Sequence, residues 1–192
     1  MNRTALTCAS TALALWIMIP RADAGTFAST RTGIISYKGD VVEGDDVTLT
    51  QIIAAMKARG VTPRLLSMGQ NGGGNTGVSM AMAATLRREN IDTEVYARCP
   101  SACVTIFAGG VHRTLTKPGT IEVHSARDGS TEPGAAARES ELSRANTVRL
   151  VRFLRLMDVP YVVVGKLVGT PPALITNVDD DELELWGVEI RR

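Results

Sequence analysis

Aromatic side chains are scarce, at 4% of 192 residues. That leaves too few rings for a stacking platform that would hold single-stranded nucleic acid or a sugar. Charge of one sign is lacking too: 21 Lys and Arg against 20 Asp and Glu leave a net charge of +1, so no basic field draws the chain to nucleic acid. Three cysteines are too few for a disulfide-dense mini-protein. Internal repeats and low-complexity stretches are absent from the sequence as well. What is present is ordinary. With 44% hydrophobic and 21% charged residues the balance is that of a globular protein, and the length makes one domain the expectation, able to bury a core without staples.

The first 24 residues read as an export signal rather than as part of the fold. Arg3 supplies a short positive region, Ala5 to Ile19 an apolar one, and Ala22-Asp23-Ala24 a small-x-small cleavage pattern before Gly25. The apolar run, about 15 residues, is short of the roughly 20 that span a bilayer, so no stable membrane anchor is expected after cleavage. The mature domain is then residues 25–192, expected in the periplasm or secreted, where thiols pair and coenzyme A is not at hand.

Along this domain strand-like runs, glycine turns and helical stripes alternate, the pattern of a layered α/β fold. Ile34 to Tyr37 reads as a strand. Leu49, Ile52, Ile53 and Met56 stand at i, i+3, i+4 and i+7, with Thr48 and Gln51 as a capping box and Gly60 at the C-terminal turn. Arg64 to Met68 reads as a buried strand running into Gly72-Gly73-Gly74. A helical stripe of Val78, Ala81, Met82 and Leu86 follows, then a strand from Thr93 to Ala97. Ser101 to Gly109 reads as a short apolar helix, and Thr114-Leu115 and Thr120 to Val123 as strands about the Lys117-Pro118-Gly119 turn. After a polar loop at Asp128 to Pro133, a long helix from about Ala135 to Met157 carries the stripe Leu150, Phe153, Leu154 and Met157. Its residues Arg144, Arg149, Arg152 and Arg155 read as a solvated face. The apolar segment Tyr161 to Val168, a short helix through Glu182 to Trp186 and a strand at Val188 to Ile190 close the chain.

Three features fall in chain order: the glycine loop, Ser101 at a helix start and His124 at a strand end. Serine hydrolysis needs such parts, because a hydroxyl is a poor nucleophile until a base takes its proton, and the oxyanion needs bare backbone N–H donors. The plain alternative for Ser101 is an N-cap worth about 1 kcal/mol, and for His124 a satisfied strand-end histidine. Of the two histidines, His112 sits beside Arg113 in a surface turn, which leaves His124 as the candidate base. Cys99 and Cys103, four apart about a helix start, fall within disulfide range at about 6 Å between Cα atoms. Two buried free thiols, or a zinc site with His112 and His124, are the competing readings. The glycine loop lacks the Lys-Ser/Thr of a P-loop and the ordered glycines of a dinucleotide site, so no cofactor is expected.

The stretch from Leu65 to His124 contains Gly72-Gly73-Gly74-Asn75, Arg98-Cys99-Pro100-Ser101-Ala102-Cys103, Ala108-Gly109-Gly110 and Glu122-Val123-His124. With these motifs it resembles the ClpP/crotonase-like superfamily, and within it the exported, periplasmic ClpP-like branch in which a Cys-x-Ser-Ala/Ser-Cys motif replaces the usual serine context. Trp186-Gly187-Val188 resembles the aromatic-Gly-aliphatic stretch near the family's C-terminus, so the likeness extends over most of residues 25–192. The resemblance implies an α/β fold of stacked ββα units, Ser101 as nucleophile, His124 as base, and the amides of Ala102 and of Gly73 or Gly74 as oxyanion donors. It also implies a peptide or protein substrate and self-association into rings or smaller assemblies. Two departures stand out. Ser67-Met68-Gly69-Gln70-Asn71 replaces the usual Ser-Pro-Gly-Gly turn, and Pro171-Pro172-Ala173 offers no carboxylate where the third triad member should lie, Asp179 to Asp181 coming later. A Ser-His dyad or rewired triad is therefore expected. The rival is a catalytically inactive ClpP-like binding or assembly module, while a crotonase-type coenzyme A enzyme conflicts with export.

Overall fold

The computed structural model describes residues 25–127 and 141–192. The expected export signal, the loop from Asp128 to Pro133 and the first residues of the long helix lie outside the described residues. Alternation of buried and half-exposed side chains builds the central strands. In β2 (Ile34–Lys38) Ile35 and Tyr37 face inward, and in β3 (Leu65–Met68) Leu66 and Met68 do the same, the period of two that a pleated strand imposes. With β1 (Thr26–Ser29), β4 (Asp92–Val95), β6 (Arg113–Thr116) and β9 (Val188–Arg191), these form a six-stranded sheet among the described residues in the order β1-β2-β3-β4-β6-β9. Only β1 runs antiparallel to its neighbour. A small second sheet pairs β5 (Arg98–Pro100) parallel to β7 (Thr120–Val123), with β8 (Thr176–Asn177) antiparallel on the other side. The Lys117-Pro118-Gly119 turn thus carries the chain from one sheet to the other and closes no hairpin.

Helices α1 (Asp45–Ala58), α2 (Thr76–Arg88) and α3 (Ala102–Ala108) follow β2, β3 and β5, giving the stacked strand and helix units expected of the fold. The helical start at Thr48 is corrected. Gly44, at φ 94°, is the residue before the first turn, and Thr48 lies inside the helix with its hydroxyl donating to the Gly44 carbonyl at 2.9 Å. Asp45 and Asp46 occupy the first turn instead, where unpaired N–H groups attract negative charge. The second half of the chain supplies α4 (Glu141–Leu156), α5 (Tyr161–Gly169) and α6 (Asp180–Leu185). The first half of α4 buries Ser143 and Thr147 rather than an apolar stripe. Thr147 Oγ1 accepts from the Ala126 amide at 3.0 Å and the Ser143 hydroxyl donates to the Ala126 carbonyl, so α4 is hydrogen-bonded to the segment that follows β7. Arg144, Arg149 and Arg152 are exposed as expected, while Arg155 stacks on Tyr161 with its guanidinium carbon 3.8 Å from the ring centroid. No helix among the described residues is long and apolar enough to cross a membrane.

The core joins the sheet to all six helices of the described residues, and every residue of α3 is buried in it. Trp186 meets Phe107 of α3 edge to face, with centroids 5.5 Å apart. Gly109, just past α3, packs so closely on α2 that an added Cβ would lie 2.5 Å from the Ala83 Cα. Gly109→Ala is therefore expected to destabilise the protein by about 1–3 kcal/mol, read as a lower Tm in thermal denaturation; an unchanged Tm would show that α2 and α3 are free to separate.

Candidate active site

Ser101 stands at the corner where β5 ends and α3 begins. Its φ of 55° and ψ of −119° belong to a region that side chains other than glycine's occupy only under strain, at a cost of about 1–3 kcal/mol. Three constraints hold it there. The Ser101 amide donates to the Glu122 carbonyl on β7 at 2.9 Å. Arg98 grips the Glu122 carboxylate with two nitrogens, Nε to Oε1 at 2.9 Å and Nη2 to Oε2 at 2.6 Å, tying the serine strand to the histidine strand. Cys99 and Cys103 form a disulfide across the corner, with Cα atoms 5.2 Å apart, which leaves no free thiol pair and no thiolates for zinc. Among the described residues the Ser101 hydroxyl has no hydrogen-bond partner.

The glycine loop lies against this corner. Gly73 and Gly74 take φ of 94° and 125°, and a Cβ on Gly73 would sit 3.0 Å from the Ser101 Cβ, so only glycine fits. Gly73 and Gly74 were equal candidates for an open amide, and the geometry separates them. The Gly73 N–H donates to Asn71 Oδ1 at 2.8 Å and is therefore engaged. The Gly73 carbonyl accepts from the Val41 amide at 2.7 Å. Because a trans peptide sets its N–H opposite its carbonyl, the Gly74 N–H points away from Val41. Among the described residues neither the Gly74 nor the Ala102 N–H has a partner.

His124 follows β7 and is 7% exposed. Its Nδ1 lies 2.7 Å from the Ser125 carbonyl oxygen. A carbonyl only accepts, so Nδ1 carries the proton and the neutral ring keeps its lone pair on Nε2. The Ser125 peptide is itself pinned, its amide donating to the Thr170 carbonyl at 2.8 Å. The chain near the missing carboxylate thus supports the imidazole through a backbone dipole. Of the later acids, Asp179 pairs with Lys166 at 2.8 Å, Asp180 pairs with Lys117 at 2.6 Å, and Asp181 is exposed. Burial lowers the His124 pKa below its ordinary 6.5, the Arg127 charge lowers it further, and the Ser125 carbonyl opposes both. An NMR titration should therefore place its midpoint under 6.5. Since the unfolded chain takes up this proton at higher pH than the folded one, stability is full above the unfolded value and declines as pH falls toward the folded one. A midpoint above 6.5 would contradict the burial.

Ser101, Ala102, Gly74 and His124 line one cleft of about 610 Å³. Ser101 and His124 share it without a hydrogen bond between them. His112 is exposed and belongs to a separate depression of about 330 Å³. The main cleft is also lined by residues that the sequence did not single out for the site, Asp40 beside the glycine loop, Arg127, and Asn146 and Arg149 of α4. Ser125 and Thr170 also went unmarked, since they act through backbone atoms that every residue carries.

The architecture and the strand-to-helix serine corner define a chain with the fold of the ClpP-like proteases. It is similar to the solved structure of the 1510-N membrane-bound stomatin-specific protease, with a TM-score of 0.62 and 11% identity over 82% of this chain and 77% of that one. It is similar also to a variant of ClpP1 from Listeria monocytogenes, with a TM-score of 0.60 and 11% identity over 84% of this chain and 92% of that one. No family model and no curated protein matches the sequence.

Proposed function

We propose that this chain is an exported serine peptidase working with Ser101 and His124. Its carrying observation is Ser101 itself: a strained residue whose hydroxyl has no internal partner, set between Gly73 and the open Ala102 amide. Ser101 Oγ attacks the scissile carbonyl while His124 Nε2 takes its proton. The N–H groups of Gly74 and Ala102 hold the oxyanion, and His124 returns the proton to the leaving amine. Water, deprotonated by the same nitrogen, then frees the acyl group. The fold shared with two proteases supports a peptide or protein as substrate.

Labelling with a fluorophosphonate tests the reading directly. The folded mature protein should react at Ser101, and a protein that takes no Ser101-dependent label would be the inactive binding module instead. Export rests on the signal-like first 24 residues, and protein recovered from the periplasm should begin at Gly25; retention of the leader in the cytoplasm would sink that part. Self-association is in keeping with exposed Leu156 and Tyr161 near the α4–α5 junction, and light scattering giving a monomer mass at working concentration would remove it.

A further inference from the structure

The glycine loop is braced along its length by the segment between β2 and α1. The Gly39 amide donates to the Gln70 carbonyl at 2.9 Å, the Gly72 amide to Asp40 Oδ1 at 2.9 Å, the Val41 amide to the Gly73 carbonyl at 2.7 Å and the Asn75 amide to the Val41 carbonyl at 2.8 Å. Within this brace lies Asn71, 1% exposed. Its Oδ1 accepts the Gly73 N–H, and its Nδ2 is buried beside the Tyr37 hydroxyl without completing a hydrogen bond. Tyr37 is fully buried, and its hydroxyl lies 2.8 Å from Asp45 Oδ2 and 3.2 Å from the Asp40 carbonyl. Asp45 Oδ2 accepts the Val42 amide as well, at 3.0 Å. A chain of buried polar groups therefore runs from the start of α1 to the glycine that touches Ser101.

Two adjacent glycines are the most mobile pair a backbone offers, whereas an oxyanion donor stabilises a transition state only if it is aimed before reaction. We propose that Asn71 is a positioning residue: by holding the Gly73 N–H within the loop it turns the next peptide so that the Gly74 N–H faces the Ser101 hydroxyl, while Tyr37 and Asp45 fix the space Asn71 occupies. Side-chain bonding of this kind, from an Asn to an amide two residues on, is a local turn that no other contact needs to build. Its use here is to take one glycine amide out of play and leave the other open. The proposal rests on the peptidase reading for its catalytic part, and on the loop geometry alone for its structural part.

The test compares Asn71→Ala, Asn71→Asp and the parent, with p-nitrophenyl acetate as the hydrolysis probe and amide hydrogen exchange of Gly73 as a second readout. In Asn71→Ala, kcat should fall about tenfold or more with little change in KM, and Gly73 exchange should accelerate by a similar factor. Asn71→Asp keeps an acceptor for the Gly73 N–H but sets a buried carboxylate near Asp45, so both readouts should fall between those of Asn71→Ala and the parent. Should Asn71→Ala fail to fold, Tyr37→Phe removes one hydroxyl from the brace and should move both readouts the same way by less. Equal kcat in Asn71→Ala and the parent, or Gly73 exchange unaffected by the substitution, would overturn the proposal. A parent chain that hydrolyses nothing would defeat the peptidase reading, and the exchange measurement would still decide whether Asn71 holds Gly73.

Discussion

Ser101→Gly is expected to abolish hydrolysis and at the same time to make the protein more stable. The two effects come from one backbone conformation. With φ of 55° and ψ of −119°, residue 101 sits where the first corner of a type II′ turn would put glycine. Glycine there removes the steric cost, so a gain of about 1 kcal/mol should raise Tm by roughly 2–4 °C for a domain of this size. Ser101→Ala keeps the strain and loses the hydroxyl, so it should be inactive at unchanged Tm. In both, the loss of turnover should be on the order of 10³-fold or more, as when the nucleophile of a serine hydrolase is removed. Calorimetry beside p-nitrophenyl acetate hydrolysis separates these outcomes. A Ser101→Gly protein less stable than the parent would mean that the corner is relaxed, and hydrolysis surviving in both variants would place the nucleophile elsewhere.

Opening the disulfide should lower activity as well as stability. Cys99 and Cys103 close a very short loop, and loop-closure entropy for so few residues gives about 2 kcal/mol, or a fall in Tm of about 4–8 °C. Both cysteines are fully buried, so the double variant Cys99→Ala with Cys103→Ala tests the link without burying a new polar group. The loop it closes contains Ser101. Once released, the serine can relax toward ordinary backbone angles, and its hydroxyl then leaves the neighbourhood of Gly73 and the Ala102 amide. Each 1.4 kcal/mol of misplacement is tenfold in rate, so kcat should drop about tenfold or more as Tm falls. Reductant should reproduce the loss in the parent and leave the double variant unmoved. If Tm falls and kcat does not, the Arg98–Glu122 pair and the Glu122 carbonyl suffice to hold the corner.

The parts of this site that the sequence displays are those whose chemistry resides in a side chain or in the lack of one. Ser101, His124, the glycines and the cysteine pair could be read from residue type and order. Asn71 was visible only as part of an irregular loop, though an Asn before Gly-Gly is a turn former with an acceptor aimed along its own backbone. Ser125 and Thr170 left no trace, because a carbonyl oxygen is common to every residue. The fold shows the same division. Strands and helices with an apolar period were legible, but β1, β5 and β8 were not, being too short to show one. The docking of α4 was hidden too, since Ser143 and Thr147 meet Ala126 through hydroxyls on a face where periodicity looks for hydrocarbon. The start of α1 was misplaced because Thr48 matches a capping residue by type, while the left-handed Gly44 that ends the preceding turn has no side chain to announce it.

The Ser125 carbonyl that sets the His124 tautomer cannot be removed by point mutation, because substitution at position 125 changes a side chain and leaves the peptide oxygen in place. Such a device is robust to sequence drift. Its weakness is electrical: a neutral dipole offers a newly formed imidazolium only a fraction of the counter-charge that a carboxylate would. On the proposed peptidase reading, a base held this way stays correctly oriented whatever side chain stands at position 125, and the turnover expected of it is slow.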